Sequence, residues 1–591
     1  MKLTISKSKN SIHFYVQRSV RVDKNKTSTV TVEKLGSIDE VRAKAGGKDP
    51  YVWAQEYVNE LTRKEYEEQK EILVRYRPNK LISKYEQKAF NCGYLFLQKA
   101  YYELGLDKIC SAISKNHSFE YDLNDILSKL IYTRILYPSS KRSSFKMSKR
   151  FIEQPSFALE DIYRSLDVLS LENDFIQSEL YKNSKKVINR NDKILYYDCT
   201  NFFFEIEQED NLRKYGKGKE NRPLPIVGMG LFMDYDGIPL AFDIFPGNKN
   251  EQPTLKPLEE KIIREYGLNR IVVCTDAGLS SAPNRKFNNK IINGETVRGF
   301  ITTQSIKMLP DNLKKYALAE DGWHLSGSKK EYTLSEIIKN GDTESIYYKD
   351  KWIKEDISDK KVKGGETALE QHLIVSFSLK YMNYQRCVRS HQVERAEKLI
   401  DTGECSKRSR NQNDPKRFIK KETVTADGEI ANIENVYIDR DVIAEEERYD
   451  GFYAVCTNLD EASINDVIRV NKKRWQIEES FRIMKTEFRS RPAYVSTPEH
   501  ILAHFLTCFI ALYVYRYLEK KLEEKYTCED LIDTMRDMMM QCPGDRLGYV
   551  PAYTRTDITD ALHEVCGFRT DYEICTNASM KKIIRNSKGK K

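Results

Sequence analysis

Between residues 193 and 278 the chain changes texture, and that change says most about its fold. KILYYDCTNFFFEI, from Lys193, is aromatic and β-branched and reads as a strand. IVGMGLFMDYDGIPLAFDIFPGN reads as two strands joined by an Asp236-Gly237 turn. A helix at about 253–265 follows, then the apolar strand RIVVCTDAG, and GFITTQ at 299–304 reads as the next strand of the sheet. Strand, hairpin, helix, strand is an α/β order. Two acids stand inside this apolar pattern. Asp198 sits within the first strand, and Asp276 ends the later one just before a glycine. A carboxylate there must be paired, hydrogen-bonded or metal-bound, because burying a free charge is costly. A turn cap or a buried ion pair meets the same demand.

A third acid is placed by helical phase. In VNKKRWQIEESFRIMKTEF, at about 100° per residue, Ile477, Phe481, Met484 and Phe488 form one apolar stripe. Arg474, Glu478 and Lys485 fall at roughly 60–100° from Ile477, along the edge of that stripe. Glu479 falls near 200° and is expected to face away and to tolerate substitution. The same pattern is met by an ordinary amphipathic helix with an Arg–Glu pair one turn apart. Trp475 lies off the stripe and is expected to pack against a neighbouring segment, with stacking on a base as the alternative.

The rest of the chain divides by pattern. Residues 1–75 read as a β-hairpin unit plus a connecting helix, and 76–190 as a helical region whose basic stretch Lys141–Arg150 makes it a candidate DNA-binding region. Residues 191–304 hold the first part of the α/β core, and 305–456 a β-rich insertion expected to form a separate lobe. Residues 457–520 carry the glutamate helix, expected to start near Ile464 and run past Lys485, and the helix after it. Residues 521–591 are a helical C-terminal region with a basic tail. The stretch Ile501–Tyr515 is shorter than the roughly 20 apolar residues a spanning helix needs, and reads as a core helix; no membrane partner is expected.

Composition sets the class of partner. The 591 residues carry 97 Lys and Arg against 88 Asp and Glu, a net charge of +9. That bias permits a polyanion without requiring one. The basic residues are grouped: Lys217, Lys219 and Arg222 in one loop, Lys141, Arg142, Lys146, Lys149 and Arg150 in another stretch, and the run Lys407–Lys421. Phosphate neutralisation by such groups gives DNA affinity. The 12 cysteines are scattered without a CxxC pair, which argues against a zinc ribbon and for reduced thiols.

The R-x3-E-x6-K spacing in RWQIEESFRIMK resembles the signature helix of bacterial insertion-sequence DDE transposases of family four, Y-x2-R-x3-E-x6-K. YYDCTNF resembles that family's first-aspartate strand, CTDAGLSSAPN its second-aspartate segment, and GFYAVCTN the strand before its glutamate helix. The loop GKGKENR and the hairpin after it resemble the stretch between the two aspartates. The resemblance covers about 190–510, and the signature Tyr falls at Asn471.

The resemblance implies an α/β, RNase H-like mixed-sheet core, with Asp198, Asp276 and Glu478 as catalytic and metal-binding residues. It implies two Mg²⁺, with Mn²⁺ as a substitute, and phosphate contacts by Arg474, Lys485, Lys217, Lys219 and Arg222. The expected activity is cut-and-paste transposition: binding terminal inverted repeats of double-stranded DNA, cleaving, and joining 3′ ends to target DNA. The second strand would be cut through a hairpin. The expected assembly is a homodimer on DNA, in a bacterial, nucleoid-associated cytoplasmic setting. An RNase H-like nuclease without strand transfer and a catalytically silent DNA-binding descendant are the alternatives. A two-carboxylate glycosidase is disfavoured by the basic loops.

Overall fold

The computed structural model describes residues 1–590 except 9–10, 24–25, 69–77, 221, 357–367, 404–412, 425–432 and 544–546. Contacts divide the chain into two units, Met1–Glu86 with Pro543–Leu547, and Gln87–Cys542 with Gly548–Lys591. In the first, β1 (Lys2–Ser8), β2 (Ser11–Asp23) and β3 (Lys26–Ser37) form an antiparallel sheet, followed by α1 (Ile38–Lys44) and α2 (Pro50–Glu68). Phe14, Val16 and Leu35 pack on Val41, Ala54 and Val58 of the helices. The expected hairpin thus gains a third strand and a helical cover, which a two-stranded ribbon needs to be stable in water.

The second unit opens with β4 (Ala89–Asn91) and six helices: α3 (Tyr94–Glu103), α4 (Leu106–Asn116), α5 (Leu123–Leu136), α6 (Lys141–Ser148), α7 (Leu159–Leu171) and α8 (Asn173–Ser184). The central sheet begins with β5 (Ile194–Phe203), β6 (Ile226–Asp234) and β7 (Pro239–Pro246). It continues through α9 (Leu255–Tyr266), β8 (Ile271–Thr275), α10 (Ala282–Phe287), β9 (Lys290–Ile292) and β10 (Glu295–Gln304). Gly237 at φ +79° makes the β6–β7 turn, a conformation that L side chains rarely adopt. Spatial order is β7-β6-β5-β8-β10. The first three strands are antiparallel, and β8 and β10 extend the sheet in parallel. This is an RNase H-like core. β6 is buried along its whole length, and a Cβ on Gly230 would lie 2.3 Å from the Tyr197 hydroxyl, so glycine lets that ring cross the sheet.

Next come α11 (Asp311–Ala317), β11 (Trp323–Leu325), β12 (Glu331–Tyr332), α12 (Leu334–Asn340), β13 (Tyr347–Asp356) and β14 (Ala368–Phe377). They lead into α13 (Leu379–Asp401), β15 (Ile419–Val424), β16 (Ile433–Ile438), α14 (Arg440–Glu447) and β17 (Phe452–Thr457). This segment does not stand apart as a β lobe. Cys456 of β17 pairs with Thr302 of β10 on one side and with Leu373 of β14 on the other. β13, β11 and β12 continue outward from β14, so the core sheet and the inserted strands are one surface. A strand with two open edges recruits a partner on each, and that pairing fuses the lobe to the core.

The chain ends with α15 (Ile464–Lys472), α16 (Trp475–Lys485), α17 (Pro498–Lys521), α18 (Cys528–Asp537), β18 (Met539–Gln541), β19 (Val550–Pro551), α19 (Asp557–Cys566) and α20 (Asn577–Ser587). The expected continuous glutamate helix is broken. Arg474, Gln476 and Ile477 donate to carbonyls three residues back, a tightened turn that re-aims α16 relative to α15. α17 is long and apolar enough to cross a membrane by length and composition, but 94% of its apolar window is buried inside the protein. It is apolar on all sides because α5, α7, α3 and β7 surround it.

Arg190 ties three of these elements together. Its Nε lies 2.6 Å from Asp234 Oδ2, and neither side chain has exposed surface. The guanidinium also donates to Ile238 and Pro239 carbonyls, to Ser184 and to Tyr513 of α17. Removing one partner of a buried pair strands the other charge. Arg190→Met is expected to cost about 3–5 kcal/mol in urea unfolding, and adding Asp234→Asn to recover part of it. A single variant as stable as the parent would refute this role.

Candidate active site

β5 and β8 run in parallel with Tyr196 opposite Cys274. Two residues further along each chain lie Asp198 and Asp276. Side chains alternate along a strand, so both acids point to the face that carries Tyr196 and Cys274. α15 lies against that face: the Tyr196 hydroxyl donates to the Val470 carbonyl, and Cys274 Sγ is 3.8 Å from Asn471 Oδ1. α16 then follows β5. Lys485 Nζ donates to Thr200 Oγ1 at 2.5 Å and sits 5.5 Å from the Phe202 ring. α16 thus runs along the strand that bears the first aspartate, with Lys485 on Thr200 and Arg474 within reach of the charges on Asp198 and Asp276.

The electrostatics agree with that placement. Asp198 is 8% exposed and its carboxyl is pushed up to about 6, first by burial, while Lys219 opposes the shift and Asp276 adds to it. Burial lowers the Arg474 guanidinium, but Tyr453, Glu478, Asp276 and Asp198 together raise it above its ordinary value. Lys485 is pushed down to about 8 by burial and by Lys219, against the pull of Asp198 and Glu251. Carboxylates and cations therefore interleave over one stretch of β5.

Each acid is held differently. Asp198 Oδ1 accepts from the Cys199 amide at 2.8 Å. Asp276 caps a short 3₁₀ turn, accepting from Leu279 at 3.0 Å. A Cβ on Gly278 would stand 3.4 Å from both Asp276 oxygens, so glycine keeps that carboxylate open to approach. Glu478 is paired with Arg474 Nη1 at 3.0 Å and its side chain is 58% exposed. Among the described residues, the ligand atoms that lie within 4.8 Å of one another belong to Asp560, His563 and Asp571, not to these three acids. That C-terminal cluster is already neutralised by Arg555 and Arg569. At the β5–β8 site Asp198 and Asp276 offer carboxylate oxygens, which suit a hard divalent cation, and the nearby Lys219 and Arg474 only partly offset the burial of Asp198.

Several expectations change. Glu479 does not face solvent. It pairs with Arg516 of α17 at 2.9 Å and is 28% exposed, half as much as Glu478. α16 is packed on two sides, by β5 and by α17, so the far side of its apolar stripe meets protein rather than water. Of the expected basic contacts, Lys219 donates to the Cys199 carbonyl at 2.6 Å beside Asp198. Arg222 lies 4.4 Å over the Phe203 ring and 3.6 Å from Glu220, and Lys217 is exposed. Lys407, Arg408 and Arg410 lie outside the described residues. Arg417 is buried and paired with Glu446 at 3.0 Å, so it is not a free phosphate contact. Lys141 is also buried.

One contributor was missed. Asn471, where the signature helix has Tyr, donates to the hydroxyl of Tyr453 at 2.9 Å. That hydroxyl also lies 2.7 Å from Thr303 Oγ1. A phenol from β17 thus reaches the place next to Arg474. The sequence signal was the Tyr in GFYAVCTN, but its facing depends on β17 pairing with both β10 and β14. Two cavities of about 540 and 530 Å³ meet at Tyr381, Tyr384 and Tyr453. The second is lined by Arg474, Glu478 and Trp475, and Trp475 stays 56% exposed at its edge. A cleft therefore opens from Arg474 and Glu478 toward Tyr381 and Tyr384 of α13.

Two measurements test these assignments. An unfolded Asp titrates near 4, so ionising the buried Asp198 opposes folding. Its contribution is intact below pH 4 and is lost as pH rises through about 6. Asp198→Asn should therefore stabilise the metal-free chain by about 2–3 kcal/mol at pH 8 and by almost nothing at pH 4; equal effects at both pH values would refute the buried-charge account. Glu479→Gln weakens the bond to buried Arg516 and should cost about 1–2 kcal/mol, whereas Glu478→Gln loses an exposed helix pair and should cost about 0.5 or less. The reverse order in thermal unfolding would show that α16 is turned otherwise.

Comparison with known proteins follows this geometry. A family model described as the transposase DDE domain matches residues 195–514, more than half of the chain and spanning β5 to α17. No curated protein matches in sequence. A cryo-electron-microscopy structure of a piggyBac transposase synaptic complex with hairpin DNA is similar at 9% identity and a TM-score of 0.34, over 84% of this chain and 85% of that one. A Mos1 transposase paired-end complex with the left transposon end is similar at 10% identity and a TM-score of 0.12, over 28% of this chain and 56% of that one. By the extent of the family match, the chain belongs to the transposase DDE domain family.

Proposed function

We propose that the chain is a cut-and-paste DNA transposase of the bacterial insertion-sequence family-four type. Its reactive centre would be Asp198, Asp276 and Glu478, and its partner double-stranded DNA at element ends and target. The observation that supports the reading is the parallel pairing of β5 with β8, just past which Asp198 and Asp276 act on one another, with Arg474 and Lys485 beside them.

The three acids supply hard oxygen ligands for divalent cations, Mg²⁺ first. Such ions, when bound, stabilise the attacking and leaving oxygens of an in-line phosphoryl displacement. The remaining work falls to side chains already in place. Arg474, whose Nε has no hydrogen-bond partner, and Lys485 flank the carboxylates and meet phosphate oxygens, the arginine as a planar fork and the lysine as a point charge. Lys219 holds the far edge of Asp198. Tyr453 and Asn471 fix the wall beside Arg474, and the aromatic cleft of Trp475, Tyr381 and Tyr384 accommodates DNA next to the cut. Helices α3 to α8 are the proposed end-reading region, and synapsis of two ends calls for a dimer on DNA.

The test uses purified full-length protein, Mg²⁺ and DNA carrying the inverted repeats that flank the gene. The parent should nick at the repeat boundary and join 3′ ends to a target plasmid. Asp198→Asn, Asp276→Asn and Glu478→Gln should each reduce both products by roughly 10⁴-fold, the scale for a group acting within a catalytic set, while end binding persists. Nicking without joined products would assign hydrolysis alone. Undiminished nicking by all three variants would overturn the assignment of the site.

A further inference from the structure

A second basic site lies beyond the carboxylates. A cavity of about 740 Å³ is bounded by the C-terminal half of α5, the N-terminus of α6, α7, the segment after α16 and α17. Arg134, Lys141, Arg489 and Arg491 line it, and no Asp or Glu does. Two of these cations are interior. Arg134 and Lys141 are each 3% exposed. Arg134 spends its Nη atoms on the carbonyls of Phe488, Arg489 and Ser139, and its Nε has no partner. Lys141 has one long bond, 3.5 Å to Thr507 Oγ1.

Among the described residues, the bonds of Arg134 and Lys141 go to carbonyls and a hydroxyl rather than to a carboxylate. The groups acting on Lys141 are Arg134 and Cys508, and burial brings its amine down to about 7. His504, also buried there, is pushed well below its ordinary value by burial, Arg134 and Lys141, and keeps a bond to the Ser490 carbonyl. Two cations buried side by side are costly unless an anion meets them or one gives up its proton, and an anion entering the cavity would meet both. Ser140, which caps α6 by accepting from the Ser143 amide, lines the same cavity, so the positive end of a helix adds to the field. Tyr163 and Tyr494 form its outer walls.

Arg491 connects the cavity to the catalytic strand. Its guanidinium lies 5.6 Å from the Phe203 ring and forms an ion pair with Glu220. Phe203 is five residues past Asp198 on β5, about 16 Å at strand rise. The cavity therefore lies beyond Asp198 along β5, with Phe203 on the opposite face of the strand from that acid. Lys485, on Thr200 and Phe202, lies between.

We propose that this cavity binds a backbone phosphate of a DNA strand away from the scissile one, with Lys141 and Arg134 at its floor and Arg491, which exchanges its pairing with Glu220 for the phosphate, at its mouth. The inference rests on the DNA-processing reading above. It adds a recessed anchor that fixes the strand's register, distinct from surface cations that only attract it.

The test scans a DNA strand with single neutral methylphosphonate substitutions and measures binding against salt concentration. The parent should lose about tenfold in affinity at one position, away from the cut. Lys141→Met should lose that position dependence and lower the salt slope by about 0.9, while Lys141→Arg restores both. Replacing a buried charge with an apolar chain of similar size is often neutral for folding; should the variant nevertheless fail to fold, Arg491→Gln at the mouth gives the same readout. An unchanged slope and position dependence in the folded variant would overturn the proposal. So would inorganic phosphate raising the melting temperature of the parent but not of Lys141→Met, with DNA binding alike in both; the cavity would then serve a small free anion. A parent that neither binds nor nicks DNA would instead overturn the DNA-processing reading itself.

Discussion

The parallel pairing of β5 with β8 is the constraint on which the site depends. It sets Asp198, within β5, beside Asp276, just past the end of β8, where burial and the neighbouring acid both raise the cost of charge on Asp198. Asp198, pushed up to about 6, registers that cost. The surrounding structure answers it with cations rather than by exposing the acids. Arg474 faces one side and Lys485 and Lys219 the other. The β5–β8 edge therefore stores an unmet demand for positive charge, which is what a site for hard divalent cations requires of its protein.

Holding those cations in register requires a rigid backing, and α17 supplies it. The helix is buried among α3, α5, α7 and β7. Its Arg516 pairs with Glu479 and with Glu519, and its Tyr513 meets Arg190 behind the β6–β7 turn. Each face of α16 therefore has a separate duty. One lies along β5 and carries the polar stripe; another is fastened to α17 by an ion pair. The tightened turn at Arg474 lets α15 pack on Cys274 and Tyr196 while α16 follows the strand toward Thr200. A straight helix would carry one of those two segments off the sheet.

The inserted segment is more than a spacer between the second aspartate and the glutamate helix. By pairing β17 between β10 and β14 it extends the catalytic sheet and turns Tyr453 toward Asn471 and Arg474. α13 then brings Tyr381 and Tyr384 over the opening. The cleft is thus made jointly by core and insertion, which fits a substrate that must be gripped on both sides of the bond to be cut.

The sequence by itself determined the α/β order, the two strand-borne aspartates and the polar stripe of α16, because period-two and 3.6-residue patterns record which face of an element is buried. It also marked the core helix around Ile501–Tyr515, whose apolar residues leave no face for water. Only the tertiary structure decided what those faces meet. Glu479 looked solvent-facing because helical phase names directions, not neighbours, and α17 fills that direction. Arg417 and Lys141 looked like members of surface charge runs, yet folding buried one against Glu446 and the other beside Arg134. Tyr453 was visible only as one residue of its strand, since its role depends on β17 pairing with β10 across more than a hundred residues of chain. Local periodicity fixes orientation within an element; long-range pairing assigns the partner, and at this site chemistry depends on partners.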